Sequence, residues 1–483
     1  MDRSLSMSRC NIVDVIRKET ALLTGRTAVV DGLVEMTYGE LLQAVDRVTE
    51  GLTYAGLNRL DRVAFLCEDC VDYIIGSLAI LNAGGVVVPV SPSLMRNELE
   101  QVLDRMDVAF LLYEGTARVG DEGRRLECGG FVEKEFFVRK RAARNDLPPD
   151  YFALNPAFIR FSSGTTGVSK GVLLSHESIL ERTDAADQGM HITANDVIVW
   201  VLSMSFHFVV TILLYLRRGA TVVICRQPFP ESFLSLAGRR HGTVFYASPF
   251  HYYVLATSPA VPAKALSEVR LAVSTAMKLN AETAGLFASK FGFELTEAYG
   301  IIEVGLPCIG AGVLKRGCLG PVLPGYEVWI RDPDPDGVGL IHLRGKGFFD
   351  AYVSPWILRR EALNDGWFNT GDIGRLDEGN NLFILGRGKT VINFAGMKVF
   401  PDEVEAVLAG HPAIKECLVY GEMHPIYGQI PCAKIVLRGT VAAPDAIELR
   451  KFCFARLAQH AVPKSFSFVD RLELTESGKL KRA

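Results

Sequence analysis

Between Arg62 and Tyr113 short β-rich runs alternate with helical patterns, and that alternation narrows the possible folds more than any other feature of the chain. Arg62-Val-Ala-Phe-Leu66, Gly85-Val-Val-Val-Pro-Val90 and Val108-Ala-Phe-Leu-Leu-Tyr113 read as buried strands, with Val71 to Ala83 and Arg96 to Asp107 as the helices between them. Strands joined through helices run parallel, and a parallel sheet needs helices over its faces, so layered α/β architecture is expected. Thr221-Val-Val-Ile-Cys225 and Thr243-Val-Phe-Tyr246 continue the pattern.

Two later stretches break it. Val328-Trp-Ile330 and Ile341-His-Leu343 flank the turn-rich Asp332-Pro-Asp-Pro-Asp-Gly337, which reads as a hairpin on an antiparallel element. After Arg387, Pro401-Asp402-Glu403-Val404-Glu405 opens a helix with proline at its start and acids in its first turn. Strands at Ala413 to Tyr420 and Ala433 to Leu437 follow, then a helix from Pro444 to Gln459. The fold class is therefore α/β. A large N-terminal domain of parallel-rich αβ layers carries a small β-barrel-like element and is followed by a small C-terminal α+β domain. At 483 residues the chain exceeds what one core usually serves, and the boundary is set between residues 1–388 and 389–483. Arg139 to Pro149, charged and ending in prolines, reads as a link inside the large part.

Charge and thiols exclude several classes. A formal net charge of -3 gives no electrostatic case for nucleic acid or anionic membranes. Val197 to Leu216 is apolar enough to raise a membrane span, but Ser203, Ser205, His207 and Thr211 interrupt it, and a strand, turn and buried helix fit it better. Cys67 and Cys70 have the C-x-x-C spacing of half a zinc site or a redox motif, but no second pair completes a zinc site, and Glu68 and Asp69 disfavour a thiolate. Reduced thiols and an N-terminus lacking a signal-like apolar core point to the cytoplasm.

Ser162-Ser163-Gly164-Thr165-Thr166-Gly167-Val168-Ser169-Lys170-Gly171 concentrates hydroxyls, glycines and one cation directly after the strand-like Phe158-Ile159-Arg160-Phe161. Glycines let the backbone aim its N–H groups at an anion, and the hydroxyls and Lys170 complete the shell. The G-x-x-x-x-G-K-[ST] loop of kinases and GTPases is not matched, because Ser169 precedes the lysine and Gly171 follows it. A dinucleotide fingerprint is excluded too, since Gly310-Ala-Gly312 is followed by Lys315 where the third glycine belongs.

Five motifs, in order, resemble those of the adenylate-forming superfamily, which includes acyl-CoA synthetases, nonribosomal peptide adenylation domains and luciferases. They are the loop at 162–171, Glu297-Ala-Tyr299-Gly300-Ile-Ile302-Glu303, Thr370-Gly-Asp372, Gly386-Arg387-Gly388-Lys389, and Thr475-Glu-Ser-Gly-Lys479. The resemblance implies that Ser162, Ser163, Gly164, Thr165, Thr166, Gly167 and Lys170 grip phosphates, and that Tyr299 and Gly300 meet the adenine. Glu303 would hold Mg²⁺, and Asp372, supported by Arg387, would take the ribose hydroxyls. It also implies that Lys479 neutralises charge at the α-phosphate and that Lys389 is the hinge of a mobile C-terminal domain. Gly396 would line the thiol tunnel. Such chemistry suits these groups: a hard carboxylate for a hard cation, a two-oxygen acid for a cis-diol. Ile302 stands where the family usually has threonine.

His207 resembles the family residue at the mouth of the acid site, and Ser274-Thr275-Ala276 occupies the place of a glycine-rich pocket turn, so a smaller or reshaped acid pocket is expected. The implied activity is ATP-dependent conversion of a carboxylic acid to acyl-AMP, then transfer to a thiol, chiefly CoA. Two alternatives remain open at this point: loading the phosphopantetheine of a carrier protein, and a nucleotide-binding pseudoenzyme, to which Ile302 and Asn393 contribute.

Overall fold

The computed structural model describes residues 10–92, 94, 96–115, 119, 123–141, 147–161, 170–226, 228–310, 318–388, 390–394, 397–425, 427–439 and 443–473. The chain divides into two compact units, Met1–Leu314 with Leu319–Glu327 and Arg344–Gly366, and Lys315–Cys318 with Val328–Leu343 and Trp367–Ala483.

The first unit is built on two parallel-rich sheets. In the nine-stranded one, Pro156–Phe161, Val86–Val90, Arg62–Leu66 and Phe110–Glu114 lie side by side and parallel. Antiparallel strands close both flanks, Gly171–Ser175 and Ala351–Val353 on one side and Phe136–Lys140 on the other. Every residue of Val86–Val90 is buried, as a strand covered on both faces requires. Eleven of the twelve residues of helix Val71–Asn82 are buried as well, so this helix has no solvent face and its sequence shows no amphipathic stripe.

The eight-stranded sheet runs Gly305–Gly310, Thr296–Ile301, Leu271–Ser274, Val244–Ala247, Val197–Trp200, Thr221–Ile224, Thr27–Asp31 and Val34–Thr37. Its six inner strands are parallel. Thr27–Asp31 enters beside Thr221–Ile224, a pairing that no local pattern announces.

Two expectations need adjustment. Arg139 and Lys140 belong to strand Phe136–Lys140, and Arg139 donates to Glu100 at 2.8 Å, so the charged link starts after them. The C-terminal helix runs only Ala446–Phe454, capped by Asp445, which accepts from the N–H of Glu448 at 2.7 Å. It ends because the N–H groups of Arg456 and Leu457 both turn back to the Cys453 carbonyl. The apolar run after Val197 resolves into strand Val197–Trp200, helix Met204–His207, a π turn Phe208–Ile212 and helix Leu213–Arg217. Among the described residues no helix is long and apolar enough to cross a membrane.

The second unit holds most of a five-stranded sheet, with Asn381–Arg387, Phe368–Leu376 and the bulk of Gly339–Gly345 and Tyr326–Arg331 side by side in that order. The expected hairpin is the last two strands. Its C-terminal lobe packs helices Pro401–Leu408 and Ala446–Phe454 on a sheet in which Ile414–His424 and Gly428–Leu437 form the long antiparallel pair. Val404, Leu408, Ile435 and Leu449 are central to the core of that lobe. The boundary expected after residue 388 falls inside this unit, between its sheet and its lobe.

None of the ten cysteines, all among the described residues, is in a disulfide. Cys67 and Cys70 place their Sγ atoms 3.7 Å apart, but both are buried, and burial pushes the Cys67 thiol well up, away from the thiolate that redox exchange uses.

Candidate active site

Strands Pro156–Phe161 and Gly171–Ser175 are antiparallel neighbours, and Phe161 pairs with Gly171. Ser162, Ser163, Gly164, Thr165, Thr166 and Gly167 lie outside the described residues. Lys170, at the exit of that loop, sets its Nζ 4.8 Å from the centre of the Tyr352 ring. The register explains the meeting: Tyr352 pairs with Val172 across the antiparallel strands. The Tyr352 hydroxyl in turn donates to Glu303 Oε1 at 3.2 Å. Burial, then the Glu303 charge, pushes the phenol upward, so it stays a donor. Lys170 and Glu303, distant in sequence, thus converge on one aromatic side chain that sequence reasoning missed.

Glu303 follows strand Thr296–Ile301 in a tight turn and is only 9% exposed. Its backbone is fixed on both sides. The N–H of Phe349 donates to the Glu303 carbonyl at 2.7 Å, and Arg182 Nη1 donates to the Ile302 carbonyl at 3.0 Å. Arg182 sits mid-helix in His176–Met190, fully buried, and its Nε also donates to the Gly347 carbonyl at 2.9 Å. Gly347 has φ +70, and a Cβ there would come 2.6 Å from the Arg182 backbone nitrogen, so no other residue fits. Burial lowers the Arg182 pKa to about 10, which leaves it cationic at neutral pH. Arg182 too was missed, because a lone arginine in a helix gives no sequence signal of its partners.

Tyr299 and Gly300 lie on the same strand as the turn to Glu303, with Tyr299 half-buried opposite Cys308. His207 ends helix Met204–His207, and its ring centre is 6.4 Å from that of Trp200. The start of the same helix is held by an acid distant in sequence: Asp69 Oδ1 accepts from the Met204 N–H at 2.6 Å. Burial pushes the Asp69 carboxyl up to about 6. Asp69, Cys67, Ser91 and Ser203 line a cavity of about 400 Å³. The turn Ser274-Thr275-Ala276 leaves the end of strand Leu271–Ser274. Thr275 is 5% exposed and accepts from the Tyr246 hydroxyl at 3.3 Å, while Ala276 takes the left-handed φ of 71° usually left to glycine.

In the second unit Asp372 and Arg387 are register partners on adjacent antiparallel strands. Arg387 Nε lies 3.0 Å from Asp372 Oδ1, with the aspartate buried and the arginine half-exposed. The Asp372 N–H donates to Thr370 Oγ1 at 3.0 Å, and the Gly388 N–H to the Gly371 carbonyl at 2.7 Å. Lys389, Gly396 and Lys479 lie outside the described residues.

Among the described residues no group of three or more His, Cys, Asp or Glu could cage a metal ion. A single hard carboxylate, Glu303, suits Mg²⁺ all the same, because that ion is commonly held by one or two carboxylates together with substrate phosphates.

Residues 17–353 match the AMP-binding enzymes and residues 403–479 the AMP-binding enzyme C-terminal domain. The chain is 31% identical to 4-coumarate–CoA ligase 2 of Nicotiana tabacum, over 92% of this chain and 88% of that protein. It is 28% identical to a feruloyl-CoA synthase of Amycolatopsis over 94% of each. In three dimensions it is similar to ATP-bound MatB of Rhodopseudomonas palustris, with a TM-score of 0.83, 25% identity, and coverage of 98% of this chain and 97% of that one.

Proposed function

The chain belongs to the AMP-binding enzyme family, and from that premise we propose a two-step reaction in which it converts a carboxylic acid and ATP to acyl-AMP and pyrophosphate, then passes the acyl group to CoA. The observation that carries this reading is the convergence of Lys170 and Glu303 on Tyr352. A cation that follows an anion-gripping loop and a carboxylate suited to Mg²⁺ meet at one point, where a triphosphate needs both.

A carboxylate is a poor electrophile, and attaching AMP gives it a leaving group. In the first step the acid oxygen attacks the α-phosphorus in line and pyrophosphate departs. The protein's contribution is positioning and charge. Lys170 and Lys479 face the phosphates, and Arg182 keeps the Ile302–Glu303 turn in place. Glu303 would hold Mg²⁺, which when bound would supply further neutralisation of the phosphate charge. Asp372 receives the ribose hydroxyls, with Arg387 fixing the aspartate, and Tyr299 and Gly300 border the adenine. His207 stands at the acid site. In the second step the CoA thiolate attacks the acyl carbon and AMP leaves. Between the steps the C-terminal lobe turns about Lys389, withdrawing Lys479 and bringing Gly396 to the pantetheine arm.

Pyrophosphate exchange into ATP with 4-coumarate, ferulate, benzoate and hexanoate tests the first step, and CoA addition the second. Lys479→Ala should abolish exchange yet keep thioester formation from supplied acyl-AMP. Equal loss of both half-reactions would remove Lys479 from its role, and absence of exchange with all four acids would overturn the ligase reading for these substrate types.

A further inference from the structure

Arg160 is a charge inside an apolar strand. It lies in Pro156–Phe161 next to Phe158 and Ile159, both fully buried, and is itself 8% exposed. Among the described residues no carboxylate is ion-paired to it, whereas buried Arg217 has Glu19 at 2.8 Å and Asp184 at 3.0 Å. Its guanidinium donates instead to the carbonyl of Phe206, the residue before His207. The charged groups that act on it are of mixed sign: Arg182 opposes its charge, while Glu303 favours it.

One neutral carbonyl does not offset the cost of taking a guanidinium out of water. A second group nearby is also incomplete. Tyr73, 0% exposed, has a hydroxyl with no partner among the described residues, and its ring packs edge-on against Phe208 at 5.6 Å, just beyond His207. Two donors, one charged, therefore flank the segment that carries His207; among the described residues Arg160 has one neutral acceptor and the Tyr73 hydroxyl none.

We infer that Arg160 is the cation that docks the carboxylate of the incoming acid beside His207, with the Tyr73 hydroxyl as a second donor. This rests on the ligase reading above. A charge-assisted contact to carboxylate is about twice as strong as a neutral hydrogen bond. It also acts at the right stage. The acid is anionic only before adenylation; in acyl-AMP that oxygen has become part of a mixed anhydride, so the attraction to Arg160 is lost once the bond to phosphorus forms.

The test compares wild type with Arg160→Met and Arg160→Lys in pyrophosphate exchange, using whichever of 4-coumarate, ferulate, benzoate and hexanoate the wild type turns over best. Arg160→Met should raise the acid KM about thirtyfold while the ATP KM and thioester formation from supplied acyl-AMP stay within about threefold, and lysine should recover part of the loss. On wild type alone, the neutral amide of the chosen acid should inhibit at least about thirtyfold more weakly than the acid binds, a result independent of whether the variants fold. An unchanged acid KM, a parallel rise in the ATP KM, or an amide that binds as well as the acid would each overturn the assignment while leaving the ligase reading intact. Failure of all four acids in wild type would overturn both.

Discussion

The carboxylate at Glu303 and the carboxylate at Asp372 are both nearly buried, yet they are held in opposite ways. Glu303 is fixed by groups from far along the chain: Tyr352 on its side chain, Phe349 on its carbonyl and Arg182 on the carbonyl before it. Asp372 is fixed by its neighbours, with Thr370 two residues back and Arg387 directly across a hairpin-like strand pair. The first arrangement is rigid because several remote elements must all be in place; the second needs only the register of two adjacent strands. Damage to the first should therefore spread into folding, and damage to the second should stay local.

Arg182→Met is the severest test of that contrast. It leaves the Ile302 and Gly347 carbonyls without their donor, which should cost about 2–4 kcal/mol of stability and lower exchange activity together. Melting and exchange measured on the same preparation check it; full stability with lost activity would mean the cluster is not a folding element. Next in size, Asp372→Asn removes the charge that would meet the ribose and should weaken ATP binding by about 2 kcal/mol, or roughly thirtyfold, with melting in the absence of nucleotide unchanged. Calorimetric ATP titration reads the first quantity, and a lowered melting temperature would break the comparison.

Tyr352→Phe should be milder. It deletes one hydrogen bond to Glu303 but keeps the ring under Lys170, so about 1 kcal/mol is expected. The readout is a higher Mg²⁺ concentration for half-maximal ATP binding, followed calorimetrically.

The smallest effect concerns Asp69 and depends on pH. Its folded pKa of about 6 lies above the ordinary 3.8, so the folded state holds the proton more tightly. Stability present below about pH 4 is lost as pH rises through 6. Asn keeps the acceptor for the Met204 N–H but does not titrate. Asp69→Asn should therefore be more stable than wild type at pH 8, by about 1 kcal/mol after allowance for partial exposure, with the difference vanishing near pH 4. A difference that grows toward low pH would contradict the burial of that carboxyl.

The same contrast governs what could be read from the sequence. Strands such as Arg62–Leu66 and Val86–Val90 announce themselves because full burial demands unbroken apolar runs. Asp372 and Arg387 are legible because each belongs to a short motif and the strands that carry them are consecutive. Glu303 is legible through its motif, but its partners are not, since Tyr352 reaches it only through the pairing of Ala351–Val353 with Gly171–Ser175. Arg182 gave no signal at all. Arg160 did, as a cation in the run Phe158-Ile159-Arg160-Phe161, but its acceptor is a carbonyl of helix Met204–His207, which the strand's own residues do not encode. Helix Ala446–Phe454 ended early for a similar reason: its stop is a backbone choice at Cys453 with no proline or glycine to mark it.

The π turn Phe208–Ile212 has a consequence for how this enzyme can diverge. A turn of that kind holds one residue more than the helix on either side would need, and such insertions gather at functional sites. Deleting a single residue there would restore ordinary winding in the segment that packs Phe208 against Tyr73. The ring of Phe208 would be redirected in one event, with no side chain replaced. On the proposed reading, chain length in this short segment is a coarse dial on acid choice, and substitutions at positions such as Thr275 are the fine one.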